Sequence, residues 1–259
     1  MNFILYFFFG TLLATCNGNV NPDEKKGDKT VNAAQTEVLK PQNSIPNHTP
    51  WNDLLKKHVD NKGNVDYLGF KDNRGLLKGY LNHLSENSPK DSWDGNEKLA
   101  FYINLYNAAT VKLIVDNYPT KSIKDIPNQW KKKWISVGEN ITSLNDIEHE
   151  VLRKMNEPRI HFAINCASYS CPKLLNTAFT SKNMERLLSK ATVDFINDKK
   201  RNRFQKNKAE LSRIFKWYKS DFTEQTSLLE YINMYLDNPV SKNTKIEYLE
   251  YDWGLNESE

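Results

Sequence analysis

Residues 159–171, RIHFAINCASYSC, gather His161, Cys166 and Cys171, and these are the only cysteines beyond the N-terminal stretch. A thiol with an imidazole partner can carry acyl transfer, the thiolate attacking once the imidazole has taken its proton. Two thiols this close can instead close a disulfide if ASYS turns the chain. They can also be inert buried groups. A zinc clip is the weakest fit, because Cys-x4-Cys departs from the usual knuckle spacing, and no metal ligand is assigned. Cys171 precedes Pro172. Proline suits the first turn of a helix, so Cys171 is a candidate N-cap whose thiol pKa would be depressed.

The base must come from elsewhere in the chain. The histidines are His48, His58, His83, His149 and His161, and none follows Cys166. A papain-like order of cysteine then histidine is excluded for this pair, whereas histidine then cysteine is allowed. RIHFAIN reads as a strand. Phe162, Ile164 and Cys166 would then face one way, and His161, Ala163 and Asn165 the other. His161 is therefore expected to brace a neighbouring element, and His149 is the better base. In DIEHEVLR, Asp146, His149 and Arg153 share a helix face. Asp146 can orient the imidazole and Arg153 can make an anion pocket beside it. A solvated histidine on a charged helix is the plainer alternative.

A further polar stripe runs along DGNEKLAFYINLYNAATVKLIVDNYP. On a helical wheel Glu97 and Asn104 lie about 20° apart, and Asn107 lies about 60° further round. The rest of this helix is apolar nearly all round, so it should be central and buried. Its polar side chains must meet backbone loops or a ligand, since unpaired burial costs about 1–3 kcal/mol per amide.

The elements that position these residues follow from periodicity and breakers. Asp94 and Glu97 have capping-box spacing and Pro119 closes the central helix. WNDLLKKHVD and NRGLLKGYLNHLSEN precede it as amphipathic helices. WISVGENITSL reads as a hairpin with a glycine turn, and SLNDIEHEVLRKM as a helix capped by Ser143. SKNMERLLSKATVDFINDKK, LSRIFKWYKSDF and SLLEYINMYL read as helices and KIEYLEYDW as a closing strand. The predicted fold is α+β: a buried central helix and several surrounding helices on a small, mostly antiparallel sheet.

The 259 residues, 39% of them apolar and 12% aromatic, suffice for one sizeable core or two small ones. A net charge of +4 with acids and bases interleaved is too mild to imply nucleic acid. The basic run KKRNRFQKNK, Lys199 to Lys208, reads as a solvated helix end and loop. At the N-terminus, FILYFFFGTLLA is too short to span a bilayer and suits a signal peptide. It ends at LLATC, where Cys16 stands as in a bacterial lipobox and would be lipidated. Thr15 and the lack of Lys or Arg in MNF depart from that pattern, so ordinary secretion and an uncleaved anchor stay open. Residues 17–50 contain no aromatic residue and read as a flexible tether, with the folded domain from Trp51 to Glu259.

EKLAFYINLYNAATVKLIVDNYP, SLNDIEHEVLR, PRIHFAINCASYSCPKL, LSRIFKWYKSDF and YLEYDWGLN together resemble the DUF547 family, a domain of unknown function. The resemblance implies that these blocks form one domain. Its IEH block falls on Ile147, Glu148 and His149, and its NCAS and SCP blocks on Asn165–Ser168 and Ser170–Pro172. It implies no activity. From the C-terminal block, Asp252 and Asn256 are candidates for lining a cleft at a strand end.

The function expected from these residues is a thiol-dependent hydrolase or transferase of the cell envelope, needing no cofactor. It would be anchored to a membrane, that of a Gram-negative bacterium, through lipid on Cys16. Cys166 is the nucleophile, His149 the base, and Glu97 or Asp146 the orienting carboxylate. Asn104, Asn107 and Arg153 line the pocket, with His161, Asn165, Ser168 and Cys171 in support. The ligand would be a small molecule or peptide, not a nucleic acid. The competing expectation is a non-catalytic envelope binding domain in which Cys166 and Cys171 form a structural disulfide.

Overall fold

The computed structural model describes residues 44–258. Cys16, the signal-like run and the tether up to residue 43 lie outside the described residues. No helix among the described residues is long and apolar enough to cross a membrane.

Helices α2 (Tyr67–Asp72) and α3 (Arg74–Glu86) lean on α4 (Gly95–Asp116), and α1 (Thr49–His58) leans on α2 and α3. Helix α4 is 22 residues long, about 33 Å at 1.5 Å per residue. Its start is a capping box. The Glu97 amide donates to Asp94 Oδ1 at 2.7 Å, and the Asp94 amide donates to Glu97 Oε2 at 3.0 Å. From Leu99 to Val115 nearly every residue of α4 is buried, as its all-round apolarity predicts.

The predicted hairpin forms as β1 (Ile135–Val137) and β2 (Asn140–Thr142), turning at Gly138 with φ of 59°. Ser143 then caps α5 (Leu144–Asp146), its hydroxyl accepting from the Asp146 amide at 3.1 Å. Beyond α5 the chain departs from the single helix expected over SLNDIEHEVLRKM. It widens to a π-helical turn over Ile147–Val151 and tightens to a 3-10 turn over Leu152–Met155. The shift in winding breaks the common face on which Asp146 was expected to meet His149.

The expected strand RIHFAIN is absent. Pro158–Phe162 forms a 3-10 turn, with Pro158 at the first turn, and the chain then runs irregularly to Pro172. Ile160, His161 and Phe162 are all buried, so the alternation that a half-buried strand needs does not exist here. A short apolar run looks the same in sequence whether it becomes a strand or a buried turn.

Helix α6 (Met184–Ile196) packs on that turn. After it come β3 (Arg203–Gln205) and β4 (Lys208–Leu211), paired antiparallel with Phe204 opposite Ala209. This hairpin replaces the helix end and loop expected for the basic run. Helices α7 (Ile214–Trp217) and α8 (Lys219–Phe222) replace one predicted helix, which breaks at Tyr218. Ser227 caps α9 (Leu228–Asn233), and β5 (Lys245–Tyr248) joins β4 in parallel. The fold is therefore α+β, with small sheets of order β1-β2 and β3-β4-β5.

Two apolar clusters hold the domain. One surrounds α4. The other is built on Phe162, Phe195, Phe215 and Phe222, whose rings lie 5.1 to 6.0 Å apart in successive contacts. Ala163, Ile164 and Ala167 belong to the first cluster and Phe162 to the second. The chain that carries Cys166 thus runs along the seam between them.

Candidate active site

The segment 163–172 has no regular hydrogen bonding of its own, so side chains from distant elements hold it. Asn107 on α4 takes both ends of the turn before Cys166. Its Nδ2 donates to Ala163 O at 3.0 Å, and its Oδ1 accepts from the Asn165 amide at 2.8 Å. Asn165 repeats the device: Nδ2 donates to Pro172 O at 2.7 Å and Oδ1 accepts from the Ala167 amide at 2.8 Å. Ala167, fully buried, sits at φ of 60°, a left-handed conformation uncommon for a residue with a Cβ. It persists because the bonds around it leave the chain no alternative.

The C-terminal stretch closes the segment from the other side. Its backbone pairs with residues 168–170, with the Ser170 amide donating to Asp252 O at 3.2 Å. The Ser170 hydroxyl accepts from the Asp252 amide at 2.9 Å. Asn256 accepts the Tyr67 hydroxyl at 2.7 Å and donates to Asn165 Oδ1 at 3.4 Å. Asp252 and Asn256 therefore brace the Cys166 segment, and Tyr251, delivered by the same stretch, touches the thiol itself.

Cys166 is half-buried and faces a cleft of about 300 Å³. Its sulfur lies 3.0 Å from Cys171 Sγ, 3.0 Å from Ser168 Oγ and 3.3 Å from Tyr251 Oη. Ser168 and Tyr251 also bond each other at 2.9 Å. The thiol of Cys171, donating to Cys166, is the largest influence and draws the Cys166 pKa down to about 7, against the opposing effect of burial. The hydroxyls of Ser168 and Tyr251 add to it. Burial pushes Cys171 well up, and the neighbouring Cys166 raises it further, so Cys171 keeps the proton of the pair. Pro172 starts no helix, and the N-cap role expected for Cys171 is corrected accordingly. Its place is instead behind Cys166, where it also accepts the Cys166 amide at 3.0 Å. The two sulfurs carry no bond between them here.

Across the cleft, Arg153 Nη1 lies 3.0 Å from His149 Nδ1. A guanidinium only donates, so Nδ1 accepts and the His149 proton resides on Nε2. His149 can thus donate into the cleft but offers no free lone pair, and the base expected from sequence is not available in this arrangement. Asp146 does not orient it: that carboxylate points to Lys133 at 3.8 Å. The carboxylate that organises this wall is Asp221 of α8. It takes Arg153 at 2.7 and 2.6 Å and His161 Nε2 at 2.8 Å. Burial alone would raise its pKa, but Arg153 and His161 outweigh that and hold it far below the usual carboxylate range. His161 stacks on Tyr218 with centroids 3.9 Å apart, and burial lowers its pKa, keeping it neutral.

Glu148, next to His149 in sequence, is 8% exposed and lines the cleft. The Tyr106 hydroxyl donates to its Oε2 at 3.1 Å. Its Oε1 is buried without a partner, as is His161 Nδ1. Tyr218 stands beside Glu148, whose carboxylate, by its charge and its closeness to the phenol, adds to the upward push of burial on the Tyr218 pKa. Each unmet buried acceptor costs about 1–3 kcal/mol. The walls are aromatic: Trp130, Trp217, Tyr218, Tyr251 and Trp253.

The structure therefore gathers Cys166, Cys171, His149 and His161 around one cleft, with Ser168 on the Cys166 thiol and Arg153 bonded to His149. Asn107 and Asn165 hold their segment from behind. Three expected residues lie elsewhere: Asp146, turned toward Lys133, and two residues of α4. Glu97 is spent on the α4 capping box and does not line the cleft. Asn104 is occupied by the backbone of Phe179, donating to its carbonyl at 2.7 Å and accepting its amide at 3.0 Å. Sequence reading missed Glu148, Tyr218, Asp221 and Tyr251 as site residues. Each stood inside a quoted block, but only the fold shows that these blocks converge. For Glu148 a signal existed: it is the acidic residue beside His149 in a stretch that must bury Ile147.

No curated protein and no solved structure matches the chain significantly. The segment that carries α4, Glu148, His149 and both thiols does match a family model. Residues 90–196 fit the model of the family described as protein of unknown function, DUF547.

Proposed function

We propose that the protein is a thiol-dependent acyl hydrolase or transferase of the cell envelope, with Cys166 as nucleophile. The observation that carries this reading is a cleft-facing thiol whose sulfur meets three S–H or O–H groups and whose pKa falls to about 7. Near neutral pH about half of such a thiol is thiolate without a dedicated base. The thiolate attacks a carbonyl carbon and an S–C bond forms, while the carbonyl electrons move to oxygen. The Nε2–H of His149 is the cleft-side donor suited to that oxyanion. The carbonyl then re-forms, the bond to the leaving amine or alkoxide breaks, and Cys171, which holds its proton, supplies one to the leaving group. Water, or an acceptor amine or alcohol, cleaves the thioester and restores both thiols. The envelope location and the lipid anchor rest on the N-terminal sequence ending at Cys16.

The test is acylation of the full chain by p-nitrophenyl acetate, read by mass spectrometry, beside iodoacetamide labelling across pH. The reading expects an acetyl thioester on Cys166, lost in Cys166→Ala, and a labelling midpoint near 7. A midpoint at or above the ordinary thiol value of ~8.5, or no thioester, overturns it. The sulfur separation of 3.0 Å favours one second reading, a binding domain whose thiols oxidise to a disulfide on export. Native protein that labels only after reduction selects that reading.

A further inference from the structure

The cleft wall contains two buried acceptor atoms that complete no hydrogen bond among the described residues. Glu148 Oε1 and His161 Nδ1 are both unpartnered, in residues 8% and 3% exposed that line the cleft. His161 gives its only N–H to Asp221, so its Nδ1 offers a lone pair. Glu148 is bound by the Tyr106 hydroxyl and forms no ion pair among the described residues. The guanidinium nearest this wall, Arg153, is already taken up by Asp221. Lys131 also lines the cleft but is exposed at its rim, where its amine keeps its water. Tyr218 is stacked on His161 and stands beside Glu148, with Trp217, Tyr251 and Trp253 continuing the wall.

A group that fits must donate at least two hydrogen bonds, accept none, and sit against aromatic faces. A primary ammonium meets all three conditions, and the ring faces attract its charge. A carboxylate or phosphate would meet an acidic oxygen and a lone pair, and is repelled. A neutral hydroxyl brings one proton for two acceptors.

We infer that the cleft recognises a primary ammonium group, held by Glu148 Oε1 and His161 Nδ1 against the ring of Tyr218, so that the acyl compound presented to Cys166 carries a primary amine. This deepens the acyl-transfer reading and rests on it for the word substrate; the ammonium site itself does not need the thiol.

The test is titration calorimetry on the full chain at neutral pH with benzylammonium and with benzyl alcohol, which share a ring and a length and differ in charge. The ammonium should bind about tenfold tighter, the scale set by one desolvated charge-assisted bond and a cation–π contact. Glu148→Gln should remove that preference, because the variant side chain is neutral while its amide oxygen still accepts from Tyr106. Equal affinity of the two probes for the unaltered protein, no binding of benzylammonium, or a preference that survives Glu148→Gln each overturns the inference. The unaltered-protein comparison decides the matter even if the variant fails to fold. An ammonium preference without a lowered Cys166 labelling midpoint keeps this site and removes the acyl-transfer reading. A lowered midpoint without the preference does the reverse.

Discussion

Replacing Cys171 by alanine removes the largest influence on the Cys166 thiol. From 9.0 to about 7 the fold favours the thiolate by roughly 3 kcal/mol. Cys171 supplies the largest part of it through the contact at 3.0 Å, with Ser168 and Tyr251 left in the variant. The Cys166 midpoint should therefore rise from about 7 to roughly 8 or above. The rate at one pH is a poor readout. At pH 7 the thiolate fraction would fall about fivefold, but a more basic thiolate is intrinsically about threefold more reactive, leaving a net loss of only about twofold. The assay is thus the full pH profile of iodoacetamide labelling, with Cys166 followed by mass spectrometry. The midpoint should move up and the high-pH plateau should rise. Cys171→Ser, which keeps a donor, should fall between the two. A midpoint that stays within ~0.3 of the parent, against the shift of one or more expected here, would refute the assignment of Cys171 as the group that sustains the thiolate.

Three further outcomes test the scaffold. Asn107→Ala leaves the Ala163 carbonyl and the Asn165 amide unpaired, and should cost about 2–4 kcal/mol in urea unfolding and raise the Cys166 midpoint. Gly63 has φ of +83° and a Cβ there would come within 2.6 Å of Lys173 Cβ, so Gly63→Ala should lose about 2 kcal/mol, read by urea unfolding, with the Cys166 pH profile unchanged. Asp221 has a lowered pKa in the folded protein, so its contribution is full above the unfolded carboxylate value of ~3.9 and is lost as pH falls below it. The stability advantage of the parent over Asp221→Asn should accordingly shrink by about 1.4 kcal/mol per pH unit below ~3.9, and an advantage that is flat from pH 5 to 2.5 would contradict the pairing.

What the sequence alone determined was set by local signals. The capping box and unbroken apolarity of α4, the glycine turn between β1 and β2, and the Ser143 cap all depend on residues within a few positions of one another. The same is true of picking out Cys166 and Cys171 as candidates, because few residue types offer a nucleophile and these two stand together. Tertiary structure decided the rest. RIHFAIN has strand composition, yet burial on every side leaves it no sheet partner and it winds as a 3-10 turn. His149 has the composition of a base, yet Arg153 occupies its lone pair, a fact that depends on a π-helical turn no local rule demands. Glu97 shares a helix with Asn107, yet one caps α4 and the other holds the Cys166 segment. The partners of that thiol lie as far off as Tyr251, 85 positions along the chain. A thiol pKa is set by atoms within hydrogen-bonding distance, and which atoms those are is settled only when the C-terminal stretch packs against the 163–172 segment along the seam between the two apolar clusters.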